Sequence, residues 1–276
     1  MSPLTEQFSL SNGVRIPALG FGTWQIPNGE PAYDAVTAAL QVGYRHIDTA
    51  RAYGNEAAVA QAIIDSAVPR EDVFVTTKLP AEVKDQASAK ASFEKSVSAL
   101  GMDYVDLYLI HAPWPWTAIG TDHAAGNAEV WRVMADLYEA GRARSIGVSN
   151  FVVSDIEKLV DATGVVPMVN QIKFHVGNTQ RDVTAYCQER AILVEGYSPL
   201  ATGSILDNSD LVAIADRYHR SVPQLCLRYV LAKGVLPLPK SVTPARIAEN
   251  ADLDFEISTA DLARLDELSD RRQPLG

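Results

Sequence analysis

The chain has 276 residues, 47% hydrophobic and 21% charged, an ordinary balance for a globular chain long enough to bury a core without crosslinks. Its formal net charge of -10 argues against nucleic acid or an anionic membrane as a partner, since both need a basic face. Two lone cysteines, Cys187 and Cys226, form no zinc motif and suit a reducing compartment, and with no apolar run of membrane-span length and a polar start the expectation is a cytoplasmic protein.

The chain opens with two short strand-like pieces, Gln7–Leu10 and Val14–Pro17, around Asn12-Gly13, which predicts a hairpin. A repeating alternation follows. The predicted strands are Ala18–Phe21, Tyr44–Asp48, Val73–Lys78, Val105–His111, Ser145–Val148, Met168–Gln171, Leu193–Tyr197 and Leu236–Lys240. Between them the predicted helices begin with Pro31–Val42, where proline suits the first turn, and Asn55–Ser66, with Asn55 as its cap. Ala87–Leu100 and Ala128–Ala140 stop at Gly101 and Gly141. Ser154–Asp161, Thr179–Arg190, Ser221–Lys233, Pro244–Asn250 and Thr259–Ser269 complete the set. Apolar strands alternating with helices mean a parallel sheet covered on both faces. Eight such units predict an α/β fold, a (β/α)₈ barrel with an N-terminal β-hairpin; a doubly wound open sheet is the alternative. No linker or charge block divides the chain, so residues 1–276 are expected to form one domain.

A barrel of this kind carries its active site at the C-terminal strand ends. Those ends supply Asp48 with Tyr53 just beyond, then Lys78, His111, Ser149-Asn150, Gln171, Tyr197-Ser198 and Lys240-Ser241. Any one of them could simply be where the chain meets water. Together, Asp48, Tyr53, Lys78 and His111 suit proton transfer to an oxygen. Tyrosine is a poor acid, with a pKa of roughly 10, and a neighbouring ammonium pulls that value down. Lys78 can supply the ammonium, Asp48 can hold it, and His111 can orient a carbonyl oxygen. No metal is needed.

Three segments carry a family resemblance. Gly43–Glu56, with Tyr44-Arg45-His46-Ile47-Asp48 and Tyr53-Gly54-Asn55-Glu56, resembles the signature of the aldo-keto reductases, as do Ile146-Gly147-Val148-Ser149-Asn150 and Leu238–Asn250. The likeness runs from about Phe8 to about Ser269, and it extends to the bacterial 2,5-diketo-D-gluconate reductase-like members. It implies a barrel that binds NADPH without a Rossmann fold, in keeping with the absence of GxGxxG after any strand, and reduces a small-molecule carbonyl substrate. It implies the tetrad Asp48, Tyr53, Lys78 and His111, with Tyr53 as proton donor. It also implies that Ser149, Asn150 and Gln171 hold the carboxamide, that Tyr197 stacks on the nicotinamide, and that Ser198 and Leu200 lie along the pyrophosphate. Lys240, Ser241, Thr243 and Arg246 would grip the 2′-phosphate, with Glu249 and Asn250 at the adenine, and Gly22, Thr23, Trp24 and Val242 completing the cofactor contacts. Two cations, two hydroxyls and a helix starting at Pro244 suit a dianionic phosphate, so NADPH is expected over NADH. A monomer is expected.

The chain departs from the family pattern at Ala112-Pro113-Trp114-Pro115-Trp116 and at Ile172–Gly177, and both departures are expected to reshape the substrate pocket. Its end at Gly276 leaves little room for the C-terminal loop of larger members, which predicts an open site walled by Trp24, Tyr53 and Trp114, with Trp116 beside them. Two rival readings stand. His46, Asp48, His111 and His175 could ligate a metal in a hydrolase barrel, and the barrel could hold NADPH without turnover.

Overall fold

The sequence's first turn signal is met: β1 (Gln7–Ser9) and β2 (Arg15–Pro17) pair antiparallel, with Asn12 Oδ1 accepting the Val14 N–H at 3.1 Å. The computed structural model describes residues 2–270. Eight further strands form one parallel sheet: β3 (Phe21–Gly22), β4 (His46–Asp48), β5 (Phe74–Leu79), β6 (Leu107–Ile110), β7 (Ile146–Ser149), β8 (Val169–Lys173), β9 (Leu193–Tyr197) and β10 (Leu236–Leu238). Each pairs with the next in chain order. The sheet closes through the Gly20 and Gly22 N–H groups, which donate to the Pro237 and Pro239 carbonyls at 3.1 and 3.0 Å. It is therefore a (β/α)₈ barrel, and the open-sheet alternative falls. The hairpin sits at the N-terminal end, where Asn12 Nδ2 bonds the Arg144 carbonyl just before β7, and Leu10 and Ile16 are buried there.

The closing seam is shorter than the sequence suggests, for two reasons. A side chain at Gly20 would stand 2.7 Å from His46 Nδ1, so β3 passes close against β4 and β10 and begins only at Phe21. Pro237 and Pro239 lack an N–H, so β10 cannot extend a full ladder to Lys240.

The helices are α1 (Glu30–Val42), α2 (Glu56–Asp65), α3 (Gln86–Leu100), α4 (Ala124–Glu139), α5 (Val153–Thr163), α6 (Arg181–Glu189), α7 (Ser209–Arg217), α8 (Val222–Ala232), α9 (Pro244–Ala251) and α10 (Thr259–Asp270). Gly101 and Gly141 hold the left-handed φ expected at helix ends, 60° and 70°. Three details differ from the sequence reading. Helix α4 starts at Ala124 rather than Ala128. Helix α7 is an addition: Asn208 Oδ1 caps it by accepting the Asp210 and Leu211 N–H groups at 3.0 and 3.2 Å, and Leu211, Ile214 and Ala215 form its buried stripe. Asn55 precedes α2 but does not cap it, because its side chain is drawn elsewhere, as described below. No described helix is long and apolar enough to cross a membrane. Cys187 and Cys226 are free, buried thiols on α6 and α8. The expectation about the chain beyond the last helix concerns residues 271–276, outside the described residues.

Candidate active site

A cavity of about 1010 Å³ opens at the C-terminal strand ends. Gly22, Asp48, Ser149, Gln171, Tyr197 and Leu238, each from a different strand, line it together with His111 just past β6. Tyr53 enters from a single helical turn, Arg51–Tyr53, between β4 and α2. That turn is held from behind. Asn55 is fully buried, donates to the Thr23 and Ile26 carbonyls at 3.0 Å each, and accepts the Thr49 hydroxyl at 2.8 Å. Its amide ties the β3 loop to the turn carrying Tyr53, which is why it is unavailable as a cap. Glu56, also buried, accepts the Thr77 hydroxyl at 2.7 Å and anchors the start of α2 to β5.

Beneath Tyr53 lies Lys78, wholly buried. Its ammonium donates to both Asp48 oxygens at 2.7 and 2.8 Å and to the Thr49 carbonyl at 2.9 Å. These contacts hold it in place, and the charge stands 5.1 Å from the centre of the Tyr53 ring. Burial works against the Lys78 charge, but Asp48, Tyr53 and Glu195 outweigh it, and the pKa lies above its ordinary value. For Tyr53, burial raises the pKa and Lys78 pulls it back by charge and hydrogen bonding; burial wins, so the phenol lies above its ordinary value. The sequence argument weighed only the ammonium and therefore expected a fall. His111 meets the Tyr53 ring edge-on at 5.6 Å. Burial and then the Lys78 charge push its pKa down to about 3, so its imidazole is neutral.

The flank of the cavity is equally tied. Ser149 Oγ donates to the Gln171 carbonyl at 2.8 Å. Asn150 Nδ2 donates to the His111 carbonyl at 3.0 Å, and Asn150 Oδ1 accepts the Tyr197 hydroxyl at 2.8 Å. Gln171 Nε2 donates to Asp48 Oδ2 and to Glu195 Oε2, both at 2.8 Å. Gln25, Asn150, Ser198 and Thr202 all line the cavity with positive φ, between 49° and 63°, so backbone strain gathers here. At the far end Lys240, Ser241, Arg246, Glu249 and Asn250 line the cavity beside the start of α9. Lys240 and Arg246 are exposed and have no acidic partner among the described residues.

Of the residues singled out from sequence, Asp48, Tyr53, His111, Gly22, Trp24, Ser149, Asn150, Gln171, Tyr197, Ser198, Leu200, Lys240, Ser241, Arg246, Glu249 and Asn250 line this one cavity. Lys78 stands behind it and Thr23 is buried, with its hydroxyl on the Asp48 carbonyl at 3.0 Å. Val242 and Thr243 are exposed beside the cavity rather than in its lining. Trp114 is a correction: of the two tryptophans after His111 it is Trp116 that lines the cavity, and Trp114 packs edge-on against it at 5.1 Å. Alternate residues of an extended loop face opposite ways, and nothing in the sequence fixes which of the two faces inward. The Ile172–Gly177 departure is a second correction. None of it lines the cavity; Phe174 and His175 are buried, and Phe174 packs against Gly196. Sequence reasoning missed Gln25, Ala52, the Thr202–Leu206 wall and the buried acid Glu195. Glu195 had a signal, since it lies two residues before Tyr197 and so shares its face of β9.

The metal-site alternative also falls. Among the described residues no three His, Cys, Asp or Glu side chains gather as metal ligands. Asp48 is committed to Lys78, His46 Nε2 to the Thr76 hydroxyl at 2.9 Å and His175 Nδ1 to the Val176 carbonyl at 2.8 Å.

Residues 18–270 match the model of the aldo/keto reductase family. The glyoxal reductase of Bacillus subtilis (strain 168) is 43% identical over 267 residues, covering 96% of this chain and 94% of that protein. A crystal structure of an aldo/keto reductase from Brucella melitensis superposes with a TM-score of 0.89 at 42% identity, over 95% of this chain and 99% of that one. An aldo-keto reductase from Bombyx mori, solved in complex with NADP, gives 0.86 at 36% identity, over 97% and 94%. A family match over nearly the whole chain, on a barrel whose strand ends carry Asp48, Tyr53, Lys78 and His111, means that this protein belongs to the aldo-keto reductases.

Proposed function

We propose that this chain is an NADPH-dependent carbonyl reductase, reducing small aldehydes and ketones to alcohols as one barrel domain, monomeric and cytoplasmic. The observation that carries the reading is the buried Lys78–Asp48 pair under Tyr53, with neutral His111 beside it, in a cavity that runs on to two cations without an acidic partner among the described residues. The residues fit the cofactor at both ends. Lys240 and Arg246 beside the start of α9 suit the 2′-phosphate, and Gln171 Oε1, without a hydrogen bond among the described residues, suits a carboxamide N–H.

NADPH, when bound, supplies the hydride. The chain's own residues do the rest. Tyr53, protonated throughout the physiological range, gives its phenolic proton to the carbonyl oxygen as that oxygen gains charge. Lys78, locked by Asp48 and the Thr49 carbonyl, stabilises the phenolate left behind. His111 holds the carbonyl oxygen with a neutral imidazole N–H. Trp24 and Trp116, about half exposed, wall the entrance, and the absence of a cation there among the described residues favours neutral substrates such as glyoxal, the substrate named for the B. subtilis relative.

The test is consumption of NADPH, followed by its near-ultraviolet absorbance, against a carbonyl panel that includes glyoxal, for the wild type beside Tyr53→Phe. The expected result is turnover by the wild type and its loss, by about a thousandfold or more, in a variant that still binds NADPH. Equal rates would overturn the proton-donor role, and tight NADPH binding without turnover of any carbonyl would favour a binding module.

A further inference from the structure

Among the described residues, Glu195 is a buried acid of the barrel interior that the proposed reaction leaves unused. It lies in β9, in register with Gln171 on one side and Leu236 on the other, and is wholly inaccessible to solvent. A carboxyl is rarely found so deep unless it is paired. Glu195 has no Lys or Arg in contact among the described residues. The nearest basic group, His46 Nε2, is 4.0 Å from Oε1 and already bonded to Thr76, and Oε1 itself has no hydrogen-bond partner. What Glu195 does have is Gln171, whose Nε2 donates to Oε2 at 2.8 Å. The same Nε2 gives its other hydrogen to Asp48 Oδ2 at 2.8 Å.

A primary amide has two N–H hydrogens, and both are consumed here by carboxyl oxygens. Turning the amide over would set its carbonyl oxygen against Asp48 Oδ2, itself an acceptor of the Lys78 ammonium. The amide therefore has one orientation, and the atom left to the cavity that Gln171 lines is Oε1, a pure acceptor. With Glu195 removed, one hydrogen loses its acceptor, and rotation of the amide can bring an N–H toward the cavity.

We propose that Glu195 is a positioning residue for the cofactor: by taking the second amide hydrogen of Gln171, it presents Gln171 Oε1 to the cavity and makes that point select a ligand N–H donor, such as the carboxamide of NADPH. The inference rests on the reductase reading above, and the experiment separates the two. Dissociation constants are measured by quenching of tryptophan fluorescence, with NADPH and with its reduced 3-acetylpyridine analogue, which has an acetyl group in place of the carboxamide and so no N–H to offer. The wild type should bind NADPH about tenfold more tightly than the analogue, the value of one hydrogen bond. Glu195→Leu should narrow that preference to about twofold, chiefly by weakening NADPH. Glu195→Gln, which keeps an acceptor oxygen, should restore it. A purely structural residue would weaken both ligands alike and leave the ratio unmoved, and that result overturns the proposal. So does a wild type that shows no preference, which needs no variant to fold. A wild type that binds neither ligand refutes instead the reading of the cavity as an NADPH site.

Discussion

Replacing Lys78 with methionine removes the buried cation at the floor of the cavity and tests whether the buried pair is interdependent. Methionine approximates the length of the side chain, so the change is in charge more than in volume. Asp48, only 4% exposed, would keep the Gln171 N–H at 2.8 Å and lose the ammonium hydrogens at 2.7 and 2.8 Å, while the Thr49 carbonyl loses its donor at 2.9 Å. A buried charge stripped of its partner costs about 3–5 kcal/mol, so Lys78→Met should lose about that much in urea-induced unfolding near neutral pH. Asp48→Asn should lose a comparable amount by stranding the ammonium. The double variant strands no charge, only the Thr49 carbonyl. It should recover most of the loss and sit within about 2 kcal/mol of the wild type, while remaining inactive. Simple additivity of the two single losses would refute the reasoning, because it would mean that the charges stabilise the fold independently.

Three further outcomes follow from the same geometry. Arg246→Ala should weaken NADPH about tenfold or more and leave NADH within about twofold, as measured by cofactor titration; equal losses would remove the 2′-phosphate role of this cation. Glu195, raised by burial and then by Asp48 to about 8 from 4.5, keeps its proton in the folded state over a range where the unfolded chain has lost it, so it lowers stability as pH climbs between those two values. Unfolding free energies from about pH 5 to about pH 8 should therefore fall less in Glu195→Gln, by up to about 1.4 kcal/mol per pH unit, and parallel curves would rule out the raised pKa. Trp116→Ala should raise KM for an aromatic aldehyde about three- to tenfold with NADPH affinity unchanged, whereas the same change at Trp114 should do less; the reverse ranking would contradict the lining seen here.

How much of this was legible beforehand depended on the kind of information involved. The period of alternation and the strand ends are local, so the barrel and the positions of Asp48, Lys78, His111, Gln171 and Tyr197 could be read directly. The segment from Lys240 to Asn250 is likewise continuous and keeps its meaning as a string. Contacts between strands are not local. That Gln171 and Glu195 stand opposite one another depends on the β8–β9 register, which no single strand encodes. The shortened β3 depends on Gly20 meeting His46 from the next strand. Trp114 and Trp116 differ only in the phase of a loop. Helix α7 had both an Asn208 cap and an apolar stripe, but at nine residues it offers few turns from which to recognise a period.

The shared cause behind the site's electrostatics is burial around one retained charge pair. Lys78 and Asp48 satisfy each other through contacts of 2.7 and 2.8 Å. Burial and then the Lys78 charge hold both His46 and His111 down to about 3, so neither adds a second cation. Burial and then the Asp48 charge raise Glu195, so below about 8 it adds no second anion. The barrel floor is thus close to net neutral, and among the described residues the Lys78 ammonium is the only positive charge near Tyr53, 5.1 Å from its ring. A protonated His111 would compete to stabilise the same developing oxyanion and would repel Lys78. Keeping it neutral lets it orient the carbonyl oxygen while Tyr53, backed by Lys78, supplies the proton.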